Sequence, residues 1–275
     1  MVIKLIALDI DGTIVDSDSN VSPANEKAIR EVVSRGIKVA LVTGRHRGGT
    51  RKVIQDVGLD TDNTPLIVNN GAIVYLGERI IWRDFLSPDE ADGVIKYTTK
   101  IPGVATTIFQ PDQIHLHCNL PLDMDFLIDR LKAFDMDNCR IVDTPDELPR
   151  EDVAKVMLVT GGSEKALEIL RMWPKQLSHL QYTRSYPYLC EINSSTCDKG
   201  RGLEVLCREM GILPEEILAV GDGENDLSML AFAKRAVFVR HRDRLPDLPP
   251  HVMVTPRGYH NEGVAWAISK IVLGQ

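Results

Sequence analysis

The sequence predicts an α/β protein in which a doubly wound parallel sheet is interrupted by an inserted α+β module. Three observations carry that expectation. Short β-forming apolar runs alternate with helical patterns in residues 1–83, the alternation resumes in residues 189–275, and residues 84–188 follow a different pattern. With 275 residues, 44% of them apolar, the chain is long enough to bury a sizeable core.

Taken in order, residues 4–10 are an almost unbroken apolar run ending in acid, as expected of a parallel strand buried on both faces. Ser22 and Pro23 read as an N-cap and a first-turn proline. Ala28, Ile29, Val32 and Val33 then keep helical spacing up to Gly36. A strand over 37–42, a helix over 50–57 and a strand over 66–68 complete the first half. In the module, runs 104–109 and 114–118 read as a hairpin around Pro111 and Asp112, followed by a helix over 123–134. A strand over 153–160, a helix over 164–172 and two β-like runs flanking Tyr186 and Pro187 follow. The second half opens with a helix over 199–210 closed by Gly211, then a strand over 217–220, a helix from Asp226 and a strand over 237–239. Residues 245–250, rich in proline, read as a surface loop.

Composition excludes several classes of function. A formal charge of −7 argues against a nonspecific polyanion binder, and the few aromatics follow no basic tract, so no nucleic-acid partner is expected. The five cysteines never form a CxxC pair, which suggests neither a disulfide framework nor a zinc site and fits a reducing cytoplasm. The first apolar run is too short for a signal-peptide core or a membrane span, so a cytoplasmic protein without a membrane partner is expected.

The densest chemical signal is Asp9-Ile10-Asp11-Gly12-Thr13 at the carboxyl end of the first strand, the edge at which open α/β sheets bind ligands. In an extended strand the side chains of Asp9 and Asp11 share a face, and two close carboxylates call for a cation or a shared proton. Gly12 permits a tight turn whose amides can meet phosphate oxygens, and Thr13 adds a hydroxyl. A carboxylate here can attack phosphorus to give an aspartyl phosphate. A second acidic run, Gly221-Asp222-Gly223-Glu224-Asn225-Asp226, follows another buried strand. Alone it reads equally well as a helix start capped by Asn225 or Asp226. If the two strands are neighbours, Asp222 joins Asp9 around a hard divalent cation such as Mg²⁺.

These motifs resemble those of haloacid dehalogenase-superfamily phosphatases: DIDGT, then Thr43-Gly44-Arg45, then Lys199 opening a helix, then GDGEND. Asn69-Asn70-Gly71-Ala72 and the inserted module are similar to the Cof-like branch (subfamily IIB), whose core is Rossmann-like and whose cap is of the C2B type. The resemblance implies that Asp9 is the nucleophile and Asp11 the general acid/base. It implies that Thr13, Thr43, Gly44 and Lys199 meet the phosphoryl group and that Asn225 contacts phosphate or Lys199. It also implies that Mg²⁺ sits on Asp9, Asp222 and the Asp11 backbone carbonyl, with Asp226 orienting them from behind. Arg45, with His46 and Arg47, either reaches a substrate anion or lies in a solvated loop. Arg184, Tyr186 and Tyr188 lie where the resemblance places the cap over the site, although tyrosines alternating along a strand are equally explained by sheet packing. His115 and His117 share a strand face without a third metal ligand. Where such family members carry small residues near the metal, this chain has Arg240-His241-Arg242, which either contacts a second substrate anion or is surface charge.

The function so implied is a Mg²⁺-dependent phosphatase acting on a small phosphorylated metabolite, a sugar phosphate. A phosphomutase using the same aspartyl phosphate and a noncatalytic phosphosugar-binding protein are the competing readings. The sequence leaves the oligomeric state open.

Overall fold

The computed structural model describes residues 2–118, 139–160, 163–186 and 188–274. Two sheets organise it, each in its own unit. The first unit comprises Met1–Trp82 and Asp198–Gln275, and the second comprises Arg83–Cys197.

The strands, in chain order, are β1 (Leu5–Leu8), β2 (Lys38–Val42), β3 (Leu66–Val68), β4 (Ile73–Leu76), β5 (Arg79–Arg83), β6 (Val104–Phe109), β7 (Ile114–Cys118), β8 (Cys139–Ile141), β9 (Lys155–Thr160), β10 (Gln181–Tyr186), β11 (Leu189–Asn193), β12 (Ile217–Gly221), β13 (Arg235–Phe238) and β14 (Val252–Val254). The first sheet has eight strands in the order β14-β13-β12-β1-β2-β3-β4-β5. From β14 to β3 every pairing is parallel, and β4 then returns antiparallel to β3. β1 is central and all four of its residues are fully buried, as its unbroken apolar run requires. Successive side chains alternate between faces. Leu5 and Ala7 pack with Leu203, Leu206, Met229 and Leu230 from two helices on one side. On the other side helix Pro23–Ser34 packs against β2 and helix Gly263–Ala267. This two-sided cover makes the first unit the Rossmann-like α/β core that the sequence predicts.

Local chemistry fixes the helix ends. Ser22 Oγ accepts the Asn25 N–H at 3.2 Å with Pro23 in the first turn. Helix Lys199–Met210 starts at Asp198, whose carboxylate accepts the Arg201 N–H at 2.8 Å, and ends at Gly211 in the left-handed region. The helix expected from Asp226 onward begins as a tight turn, Glu224–Asp226, before Leu227–Phe232. Ile268–Leu273 widen into a π-helix that ends at Gly274 in the left-handed region.

The second unit carries a six-stranded sheet in the order β10-β11-β9-β6-β7-β8, antiparallel except where β8 joins β7. The hairpin pairs Phe109 with Ile114, as expected. Helix Pro88–Thr98 packs on β6 and β9, with the Ser87 and Glu90 side chains forming a capping box. Because β11 pairs with β9, residues 189–197 belong to this unit, which runs to Cys197 where the sequence reading ended the module at residue 188. The two segments joining the units are tied together inside it, since the Ser194 and Thr196 hydroxyls both donate to the Asp84 carboxylate. The helix expected over 123–134 lies outside the described residues. Among the described residues no helix is long and apolar enough to cross a membrane.

Candidate active site

β12, β1 and β2 are adjacent and parallel, with Leu8 level with Val220 on one side and Leu41 on the other. Their carboxyl ends therefore deliver Asp222, Asp9 and Thr43 to one edge of the sheet. Register alone brings together motifs more than two hundred residues apart.

The chain leaves β1 sharply. The amides of Thr13, Ile14 and Val15 all donate to the Ile10 carbonyl, and Gly12 takes a φ of +83°. An added Cβ on Gly12 would lie 2.4 Å from Asp222 Oδ2, so this position needs glycine both for its backbone and for its contact with the acid. The turn also corrects the expectation that Asp9 and Asp11 point the same way. The strand stops at Leu8, period-two alternation is lost, and the two carboxylates take different partners. Asp9 Oδ1 accepts from Lys199 Nζ at 2.7 Å, whereas Asp11 accepts from Arg45 Nε at 2.9 Å and from a terminal Arg45 nitrogen at 2.5 Å. Gly12 N–H and Thr13 N–H are hydrogen-bonded within the turn, and the Thr13 hydroxyl donates to Asp222 Oδ1 at 3.1 Å. Thr13 thus orients an acid at this edge of the sheet.

Lys199 is the hub. It is 1% exposed, and besides Asp9 its ammonium reaches Asp226 Oδ1 at 2.6 Å. The other oxygen of Asp226 accepts the amides of Asp222 and Gly223, each at 2.9 Å, so both Asp226 oxygens are occupied. Burial would lower the Lys199 pKa, but the Asp226 and Asp9 carboxylates overcome it and hold the ammonium above its usual range. Burial also raises Asp9, with the Asp226 charge adding to it against the pull of Lys199. Asp222 is pushed up to about 7, first by burial and then by the Asp226 charge.

Carboxylate oxygens of Asp9, Asp222 and Asp226 lie within 4.8 Å of one another. Crowded, desolvated carboxylates, with Asp9 and Asp222 both raised, are a donor set that fits a hard divalent cation. With both Asp226 oxygens occupied, Asp9 and Asp222 are the carboxylates that could hold it.

The remaining sequence-predicted residues form the rim. Thr43 is fully buried, and its hydroxyl accepts the Arg45 N–H at 3.0 Å. Arg45 is 6% exposed and also donates to the Gly49 carbonyl, so its guanidinium is built into the wall through Asp11. Asn225 donates to Asn70 Oδ1 at 3.4 Å, and that same oxygen would lie 2.8 Å from a Cβ added to Gly44. In the second unit Tyr188 is half-buried against the cluster of Phe109, Leu116 and Val159, and the Arg184 side chain lies outside the described residues. His117 Nδ1 lies 3.3 Å from the Val142 carbonyl, whereas neither ring nitrogen of buried His115 has a hydrogen-bond partner among the described residues.

Sequence reasoning named the turn Asn69-Asn70-Gly71 without giving it a role. Its amides donate to the Arg45 and Thr43 carbonyls at 2.9 and 3.0 Å, bracing the loop after β2. Gly71, at φ +105°, lets the chain pass so close to helix Lys199–Met210 that an added Cβ would lie 2.1 Å from the Asp198 carbonyl oxygen. The turn seats Lys199 as well as Thr43. Two successive Asn residues with positive φ before a Gly were the available signal.

A family model described as haloacid dehalogenase-like hydrolase matches residues 6–268. The chloroplastic endoribonuclease YBEY of Arabidopsis thaliana is 28% identical over 84% of this chain, and the match spans 40% of that longer protein. A Bacillus subtilis protein named 5-amino-6-(5-phospho-D-ribitylamino)uracil phosphatase YwtE is 24% identical over 99% of both chains. Among solved structures, a sugar phosphatase of HAD subclass IIB superposes with a TM-score of 0.76 at 22% identity, covering 97% of this chain and 98% of the other.

Proposed function

Because the chain belongs to the haloacid dehalogenase-like hydrolases, in their Cof-like branch, and is a phosphatase of that family, we propose that it hydrolyses a small sugar phosphate through a phosphorylated Asp9, with Mg²⁺ bound. The observation that carries this reading is the Lys199 ammonium bridging Asp9 and Asp226 at 2.7 and 2.6 Å, with Asp222 in the same cluster. That arrangement holds one carboxylate oriented, desolvated and beside fixed positive charge, as a nucleophile for phosphorus requires. The sugar-phosphatase name of the solved relative supports the substrate class.

In the first step an Asp9 oxygen bonds to phosphorus as the bond to the leaving oxygen breaks, and Asp11 gives that oxygen a proton. In the second, water attacks the phosphorus of the aspartyl phosphate, Asp11 takes the proton, and cleavage from Asp9 returns the carboxylate and inorganic phosphate. Asp11 accepts hydrogen bonds from Arg45 through both oxygens, so one must be released before Asp11 can carry the proton. Lys199 and the Thr43 hydroxyl hold the equatorial oxygens in line. Mg²⁺ held by Asp9, Asp222 and the Asp11 carbonyl would offset the charge on those oxygens.

The test is phosphate release from a panel of sugar phosphates. Wild-type protein releases phosphate without forming an isomer, EDTA stops it and Mg²⁺ restores it. Asp9→Asn lowers kcat by about 10⁴-fold or more, because an amide cannot form the phosphoenzyme. Appreciable Mg²⁺-dependent turnover by Asp9→Asn, or isomer formation in place of phosphate release, overturns the reading.

A further inference from the structure

We propose that the cavity at the carboxyl ends of β13 and β14 is an anion subsite, and that the substrate bears a second anionic group, a carboxylate or a phosphate, besides the phosphate that is hydrolysed. This rests on the phosphatase reading above and specifies its substrate.

β13 and β14 run parallel to β12, so the loops that follow them emerge at the same edge of the sheet as Asp9 and Asp222. Arg240, His241, Arg242 and Asp243 come from the first loop, Arg257 and His260 from the second, and together they line a cavity of about 280 Å³. The two loops are joined beneath it, where the Arg240 N–H donates to the hydroxyl of buried Thr255 at 2.9 Å. The volume suits one small group, being just below the range of about 300–1,000 Å³ usual for whole-ligand sites.

The charge in this cavity is not balanced from within. In a chain of net charge −7, three guanidiniums converge here against one carboxylate. Asp243 pairs with Arg257 at 2.8 Å, and among the described residues no carboxylate pairs with Arg240 or Arg242. Arg240 also buries its Nε–H, which has no hydrogen-bond partner among the described residues. A buried donor left unmet is unfavourable, and a bound oxyanion would meet it, since a guanidinium matches carboxylate and phosphate oxygens in pairs.

His241 forms the wall between this cavity and the acid cluster. Its Nε2–H donates to the Gly12 carbonyl at 2.7 Å, and the same nitrogen is 3.5 Å from Asp222 Oδ2. An anion in the cavity would therefore sit one side chain away from the turn that carries the nucleophile. One small substrate spans both places.

Three probes separate the possibilities: glucose 6-phosphate, which has no second anion, 6-phosphogluconate, which adds a carboxylate, and fructose 1,6-bisphosphate, which adds a phosphate. The wild-type protein should show kcat/KM at least about tenfold higher for one or both dianionic-body probes than for glucose 6-phosphate, mainly through KM. The better of the two identifies the group. Arg240→Gln with Arg242→Gln should erase most of that preference, and the ratio between probes is the readout. If the double variant does not fold, Arg242→Gln alone, at an exposed position, should still reduce the ratio. Phosphate release from all three probes without preference overturns this inference and leaves the phosphatase reading standing, as does a variant that weakens all three equally. Release from none of the three or from any other phosphomonoester overturns both.

Discussion

At the scale of single residues the site is decided by where the charge can go. Asp9, Asp222 and Asp226 are tolerable together because Lys199 is buried among them, and Asp11 is kept apart by Arg45. A buried polar side chain without such a partner behaves differently. His115, on β7, faces Ile108 and Arg140 across its neighbouring strands. Burial, and then the Arg140 charge, lowers its pKa below the ordinary 6.5. The unfolded chain therefore binds the proton more readily than the folded one. His115 contributes no penalty above about pH 6.5 and costs stability as pH falls below that value toward its folded pKa. Wild-type protein should lose more urea resistance between pH 7.5 and pH 5 than His115→Leu does, and equal losses would contradict the assignment. The acids and Lys199 were legible in the sequence because each interrupts an apolar strand end or opens a helix. The pairing of Asp11 with Arg45 was not, since it depends on the strand ending at Leu8, two residues earlier than hydrophobicity suggests.

At the scale of elements, close passage between a turn and a helix positions the chemistry. Gly71 has positive φ and no room for a side chain beside the Asp198 carbonyl, whereas Gly36 has a similar φ of +80° with nothing within 4 Å. Gly71→Ala should cost about 2 kcal/mol or more and lower kcat by displacing Lys199. Gly36→Ala should cost about 1 kcal/mol and leave kcat unchanged. Similar denaturation midpoints for the two variants would refute the close-passage account. The parallel strands and the long capped helices of the first unit were readable because burial on both faces and helix capping leave strong local patterns. The β4–β5 ribbon, helix Pro88–Thr98 and β14 were not among the expected elements. β5 is only partly buried and β14 has three residues, so neither carries a marked apolar period. The helix does carry the Ser87-Glu90 capping box, a local start signal written in the sequence.

At the scale of the whole molecule, β1 must find β12, which pairs Leu5 with Ile217. Closing so long a loop is entropically unfavourable, and it is less so once the intervening chain has folded and drawn its own ends together. The Asp84 carboxylate, held by Ser194 and Thr196, ties the two ends of the second unit in this way. Pulse-labelled hydrogen exchange during refolding should show β6 and β9 amides protected before those shared by β1 and β12, and the reverse order would exclude this sequence of events. The insertion itself was visible in the sequence as a break in the β/α alternation. Its far boundary was not, because β11 is a short run buried along its whole length, as a core strand would be, and only its pairing with β9 assigns it.

Because six neighbouring strands point one way, all the chemistry described above crowds onto one rim, and the opposite rim is left with plain connections. Leu213, 60% exposed just before β12, lies there. A fluorophore coupled at that position would stand a strand's length, about 16 Å, from the acids. It could report on turnover or tether the protein to a surface without touching the reacting groups.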